Sequence, residues 1–149
     1  MLRKWAVALG IAVAVILASA EPARGAEAGK AVVWPAGDLK WTDAPNAPPG
    51  VKQAVLWGDP ATGASGTLQK FPPGFTSALH WHSANLRAVV VSGTVIHGPE
   101  GKPEVRLSAG SYLSEPAGYK HTTVCDKASE CVFFMEGDGK FDIVWAAKK

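Results

Sequence analysis

His80, Trp81 and His82 set two imidazoles two residues apart, and His121 adds a third in the run Pro116-Ala117-Gly118-Tyr119-Lys120-His121. These are three of the chain's four histidines. In a strand, residues i and i+2 project to one face, roughly 7 Å apart along the backbone. Two imidazoles so placed can converge on one ion. Neutral imidazole is a ligand for zinc, copper, nickel and non-haem iron. Three such ligands with no evident fourth leave coordination positions open, the mark of a reactive site and not of a structural one. The chemistry implied is the binding and activation of a small molecule at one divalent transition metal ion per chain. No nucleophile–base pair, phosphate-cradling glycine loop or carboxylate dyad accompanies the histidines. Hydrolytic triads, kinases and two-carboxylate glycosidases are therefore excluded.

The segments that must position these residues read as short strands. Apolar, β-like runs span 52–57, 66–71, 78–82, 87–91, 94–97, 104–107, 112–114, 121–125, 131–135 and 141–144. Turns stand between them at Gly58-Asp59-Pro60, Pro72-Pro73-Gly74, Ser92-Gly93, Gly98-Pro99-Glu100-Gly101, Ala109-Gly110, Pro116-Ala117-Gly118 and Gly137-Asp138-Gly139. Many short strands with frequent turns and no amphipathic helical period predict an all-β barrel or jelly roll. Ahead of them, the loop from Asp43 to Gly50 carries three prolines, which exclude regular structure there.

Residues 1–20 read as a secretory signal peptide. Two positive charges at Arg3 and Lys4 precede an apolar stretch from Trp5 to Leu17, and Ala18-Ser19-Ala20 supplies the small residues of a cleavage site after Ala20. Thirteen apolar residues fall short of the ~20 needed to span a bilayer, so no stable membrane anchor is expected. The protein is expected in the periplasm or secreted. Residues 21–49 form a leader and proline-rich arm, and residues 50–145 one domain. Without the signal the chain carries 13 basic and 13 acidic side chains. It has no basic run and no interleaving of aromatic with basic residues, so nucleic acid is excluded as a partner.

Cys125 ends one strand-like run and Cys131 begins the next, across the polar connection Asp126 to Glu130. Read as a hairpin, that connection places the two cysteines opposite each other. In an oxidising compartment a disulfide then forms, closing a small loop worth about 2–3 kcal/mol in the chain-entropy model. The alternative, Cys125 as a metal ligand or reactive thiol, is weakened by the four strand steps between it and His121.

The spacing around the histidines is more specific than the histidines alone. Five residues separate Gly74 from His80, and Gly93 closes a β-branched run after His82. Five residues likewise separate Gly110 from Pro116, which leads through Gly118 to His121. In both stretches every glycine, proline and histidine falls at the spacing of the two motifs of the cupin family, and over about residues 50–143 the chain resembles that family. Two positions depart from it. Leu86, beside Arg87, stands where the first motif has its glutamate ligand, and Cys125 stands where the second has asparagine.

The resemblance implies a double-stranded β-helix, or jelly-roll barrel, a homodimer, and His80, His82 and His121 as metal ligands. It also turns Leu86, Ala88 and Val90 inward. Thr123, Phe133 and Met135 share the inward parity, which gives a mostly apolar cavity. If Ser92-Gly93 is a two-residue hairpin turn, Ala88 pairs with His97 and His97 faces inward too. His97 is then a candidate second-sphere, substrate-facing or fourth-ligand residue, or else a strand-end histidine with one satisfying hydrogen bond. Trp81 and Arg87 alternate away from the cavity, and Tyr119 and Lys120 lie at its mouth. A site of three neutral imidazoles keeps the ion's full +2 charge and binds an anionic or enolic substrate more strongly. This resembles cupin dioxygenases that hold iron by three histidines, so iron is favoured, while zinc, manganese, nickel or copper fit the same ligands. The expected function is a metal-dependent, dioxygenase-like oxidoreductase acting on a small molecule. A non-catalytic module binding or sensing a small ligand or metal, and a metal-dependent lyase or isomerase, are the alternatives.

Overall fold

The computed structural model of the chain describes residues 31–147; the expected signal peptide and residues 21–30 of the expected leader lie outside the described residues. A single 3-10 turn at Ala36–Asp38 precedes eleven strands. In chain order these are β1 (Thr42–Asp43), β2 (Lys52–Gly58), β3 (Ser65–Phe71), β4 (His80–Trp81), β5 (Leu86–Ser92), β6 (Thr94–Pro99), β7 (Val105–Ser108), β8 (Tyr112–Glu115), β9 (His121–Cys125), β10 (Cys131–Gly137) and β11 (Val144–Trp145). They form two antiparallel sheets, one ordered β1-β2-β3-β10-β5-β8 and the other β11-β4-β9-β6-β7. Consecutive strands repeatedly change sheet, as in a jelly roll. The fold is all-β and cupin-like.

Alternation explains the inner face. Along β5, Leu86 and Val90 are buried and Ala88 is half-buried, while Arg87, Val89 and Val91 are exposed. The ladder then carries each inward side chain across the larger sheet in rows. One row runs Ser65, Gly137, Leu86, Glu115; the next runs Thr67, Met135, Ala88, Leu113; a third runs Gln53, Gln69, Phe133, Val90. The middle strands β10 and β5 supply apolar residues, β2 and β3 the polar ones, and β8 one of each, Leu113 and Glu115. Val90, Val95, Phe133 and the two cysteines make the buried core, with Phe71 edge-on to Phe133 at 4.9 Å. That core closes the end of the barrel where β9 finishes. The other end, where β9 starts with His121, stays polar.

Two registers differ from the sequence reading. β5 and β6 are not a hairpin, because they belong to different sheets. Ala88 faces Leu113 and Met135, and His97 faces Val105 and Thr123. Ser92-Gly93 is a corner between sheets. Gly93 takes φ 77° there, and a Cβ at that position would run into the Glu130 carbonyl, so only glycine turns this corner. The connection from Asp126 to Glu130 is a second corner for the same reason, since β9 and β10 also lie in different sheets. A third, smaller difference is that Asp43, placed in a proline-rich loop, pairs with Lys52 in the β1–β2 ladder.

Cys125 and Cys131 are nonetheless joined, with 5.7 Å between their Cα atoms. The disulfide is thus a tie between the two sheets, not a rung of one ladder. Both cysteines are fully buried among Val90, Val95 and Phe133. A C125A/C131A protein is expected to lose about 2–3 kcal/mol of unfolding free energy. A urea titration of oxidised wild type beside the variant reads this as a lower midpoint.

Candidate metal centre

β4 and β9 position the histidines. His80 and His121 are directly paired across the β4–β9 ladder, so their side chains leave the sheet on the same face. His82 lies just past β4, and its backbone carbonyl accepts a hydrogen bond from Gly118 N at 2.9 Å. That bond joins the two histidine-bearing stretches. Ring centroids are 4.3 Å apart for His80–His121, 5.1 Å for His80–His82 and 5.4 Å for His82–His121. One ligand atom from each ring lies within 4.8 Å of the others, and all three side chains are buried.

The backbone decides which nitrogen is free. His80 Nδ1 donates to the Ala78 carbonyl at 2.8 Å, His82 Nδ1 to the Asp142 carbonyl, and His121 Nδ1 to the Tyr119 carbonyl at 3.0 Å. A carbonyl only accepts, so each Nδ1 carries the proton and each Nε2 keeps a lone pair. Such a tautomer, fixed by an outer hydrogen bond, is the one that ligates a metal. Burial pushes all three imidazoles below their ordinary value of 6.5, His121 down to about 3, where the neighbouring histidines add to the effect. The rings are neutral at pH 7, ready to bind a cation without first releasing a proton. The donor set therefore fits one metal ion, and neither sulfur nor carboxylate belongs to it.

Loops hold the mouth of the site. Asn85 donates through Nδ2 to Asp138 at 2.6 Å and accepts from Ala117 N at 3.0 Å, while Ser83 N donates to Asp142 at 2.8 Å. The segments after β4, before β9 and after β10 are thereby knitted together. Phe141 stacks on His82 at 5.2 Å and Trp145 lies 5.3 Å from His80. Arg87 points outward to Glu136 at 3.1 Å, and Trp81 carries Lys120 Nζ 5.9 Å from its ring.

Leu86, Ala88, Val90, Thr123, Phe133 and Met135 line one cavity together with the three histidines and His97. His97 is buried on β6, its ring 5.1 Å from that of His121, but it does not belong to the group of three convergent histidines. Its Nδ1 is 3.4 Å from Glu115 Oε1, and the same oxygen is 3.3 Å from His121 Nδ1. Sequence reasoning missed Glu115. Burial alone raises its carboxyl to about 7, from an ordinary 4.5. Its parity was legible, two residues beyond inward-facing Leu113. Sequence reasoning also missed Gln69, which lines the cavity and is buried, its Nε2 donating to the buried Thr67 Oγ1 behind it at 3.0 Å. No lysine or arginine is buried among the described residues.

Comparison with known proteins supports the fold. A family profile described as a domain of unknown function, DUF4437, matches residues 18–144. No curated protein is matched by the sequence. Among solved structures, the polyketide cyclase RemF from Streptomyces resistomycificus is similar at 15% identity and TM-score 0.68, covering 80% of this chain and 87% of that one. KdgF from a Halomonas species is similar at 21% identity and TM-score 0.59, covering 72% and 94%. The DMSP lyase DddQ from Ruegeria pomeroyi is similar at 17% identity and TM-score 0.61, covering 74% and 62%.

Proposed function

This chain belongs to the DUF4437 family, and from its site we propose that it is an exported, metal-dependent oxidoreductase acting on a small molecule in the manner of a dioxygenase. The observation that carries this reading is the ligand set: three buried, neutral imidazoles with free Nε2 atoms and no carboxylate among them, opening on a largely apolar cavity. When bound, a divalent ion supplies Lewis acidity and a place where substrate and dioxygen meet, and iron suits that task best.

The remaining work falls to the chain's own residues. Leu86, Val90, Phe133 and Met135 exclude water and grip an apolar body. Thr123 and Gln69 offer neutral hydrogen bonds. The absence of a buried lysine or arginine among the described residues favours a substrate that brings no full negative charge of its own beyond an ionisable oxygen or sulfur at the ion. Both oxygen atoms would enter the substrate, so no separate reductant is required. Export rests on the signal-like residues 1–20 and is in keeping with the disulfide. The dimer in this proposal would use the exposed side chains of Trp57, Val91 and Tyr112 on the outer face of the larger sheet.

A second reading has one observation in its favour. The buried Glu115 carboxyl, held near pH 7, suits proton transfer in a metal-assisted lyase or isomerase. DddQ and RemF, named as a lyase and a cyclase, share the fold.

The test is the metal content of tag-free protein purified from an exporting host, followed by oxygen uptake with a panel of small thiols and diketones. Near-stoichiometric iron with substrate-dependent oxygen consumption is expected. Zinc or manganese without uptake would replace the oxidoreductase by the Lewis-acid enzyme. No metal after reconstitution would leave a binding module.

A further inference from the structure

The site lacks a carboxylate at position 86, yet a carboxylate is beside it. Leu86 and Glu115 are directly opposed across the β5–β8 ladder. Opposed residues project to the same face with Cβ atoms about 5 Å apart. Both are buried, Leu86 3% exposed and Glu115 6%. A side chain from position 115 thus enters the space that one from position 86 would enter, arriving from the neighbouring strand.

Glu115 does not join the three convergent nitrogens. Its Oε1 instead sits 3.3 Å from His121 Nδ1 and 3.4 Å from His97 Nδ1. Neither contact has hydrogen-bond geometry, and Oε1 and His97 Nδ1 both lack a partner. An unpartnered buried carboxyl oxygen is costly and calls for an explanation. Nothing in the packing of β8 demands it, since Leu113 in the same strand shows that an apolar residue serves there. The Tyr119 carbonyl already takes the His121 Nδ1 proton, so a carboxylate at this distance acts through its charge, which offsets part of the cation's.

We propose that Glu115 is the acidic member of the metal site, acting through His121 from the facing strand in place of a carboxylate at position 86. It is a positioning residue, with His97 completing its surroundings. This rests on the metal reading above and deepens it. A bound cation favours the ionised form of the carboxyl, so the ion would keep an all-imidazole set of ligands with a carboxylate one ring away.

Cobalt(II) is the probe, because its visible absorption reports ligand strength and its affinity can be measured against a competing chelator without any turnover. Wild type, E115Q, E115D and L86E/E115Q are compared. Wild type is expected to bind one ion. E115Q should bind about 10-fold more weakly, the lower end of the loss for a hydrogen-bonded outer partner, because the contact acts through charge alone, with its absorption bands displaced. E115D, which keeps the charge one methylene further back, should fall between the two. L86E/E115Q should recover most of the affinity. A thermal melt of each metal-free variant checks that it is folded.

Equal affinity and an unchanged spectrum in E115Q would overturn the proposal while leaving the metal site intact. Failure of L86E/E115Q to improve on E115Q would overturn the equivalence of the two positions. A wild type that does not bind cobalt would remove both this inference and the metal reading.

Discussion

A His121→Ala protein is expected to purify without the metal that the wild type is proposed to carry. His121 is one of the three histidines proposed as ligands, it is cross-strand partner to His80, and its free nitrogen is fixed by the Tyr119 carbonyl. With it gone, His80 and His82 remain as neighbours along one chain segment, held by their own carbonyls but with nothing closing the site from β9. Losing an outer partner of a ligand costs roughly 10- to 100-fold in affinity; losing the ligand itself should cost at least about 100-fold. The fold should survive, because the substitution removes a buried polar group and β9 keeps its backbone pairing and its disulfide. Elemental analysis of both proteins from the same exporting host, with circular dichroism as the check on folding, decides the matter. Metal retained at the wild-type level would mean that the ion is held elsewhere.

The strands, the barrel and the gathering of the three histidines are legible because each rests on local pattern. Alternation along residues 86–91 turns Leu86, Ala88 and Val90 to one face whatever strand lies next to them. The i, i+2 spacing of His80 and His82 likewise survives any choice of partner. Pairing was not legible. A short Ser92-Gly93 connection reads as a hairpin turn, yet its glycine at φ 77° carries the chain from one sheet to the other. His97 was expected to face inward through a pairing with Ala88 that does not exist; it does so through Thr123 and Val105 instead. The cysteine bond was inferred from a hairpin and is realised between sheets, since both arrangements bring the ends of a five-residue connection together. Glu115 escaped notice because an acidic residue beside a proline reads as a loop rim. Its parity with Leu113 points inward, and the ladder, which sets it against Leu86, shows where it lands.

Acidifying the metal-free protein from pH 7 to pH 5 is expected to lower its melting temperature by about 5 °C or more, a shift that ~1 kcal/mol gives a domain of this size. His121 titrates near 3 in the folded chain against an ordinary 6.5, chiefly because burial disfavours its charged form. Between those values the unfolded chain takes up a proton that the folded chain refuses, so stability falls as the pH drops below about 6.5. Burial shifts His80, His82 and His97 in the same direction. Glu115 works against them. Its folded value near 7 lies above its ordinary 4.5, so the folded chain holds a proton that the unfolded chain releases. Its contribution is greatest at low pH and is lost as the pH rises through that window. Four groups oppose one, and the net slope is acid destabilisation. Replacing Glu115 by glutamine removes the opposing group, so E115Q should lose stability more steeply between pH 7 and 5 than the wild type. Bound metal should hold the histidines neutral and move the loss to lower pH, where protons displace the ion. Melting curves of EDTA-treated wild type and E115Q across this range test both slopes. A melting temperature that rises on acidification would show that the imidazoles do not pass neutral into the folded interior, and the metal-ready state argued from their hydrogen bonds would fall with it.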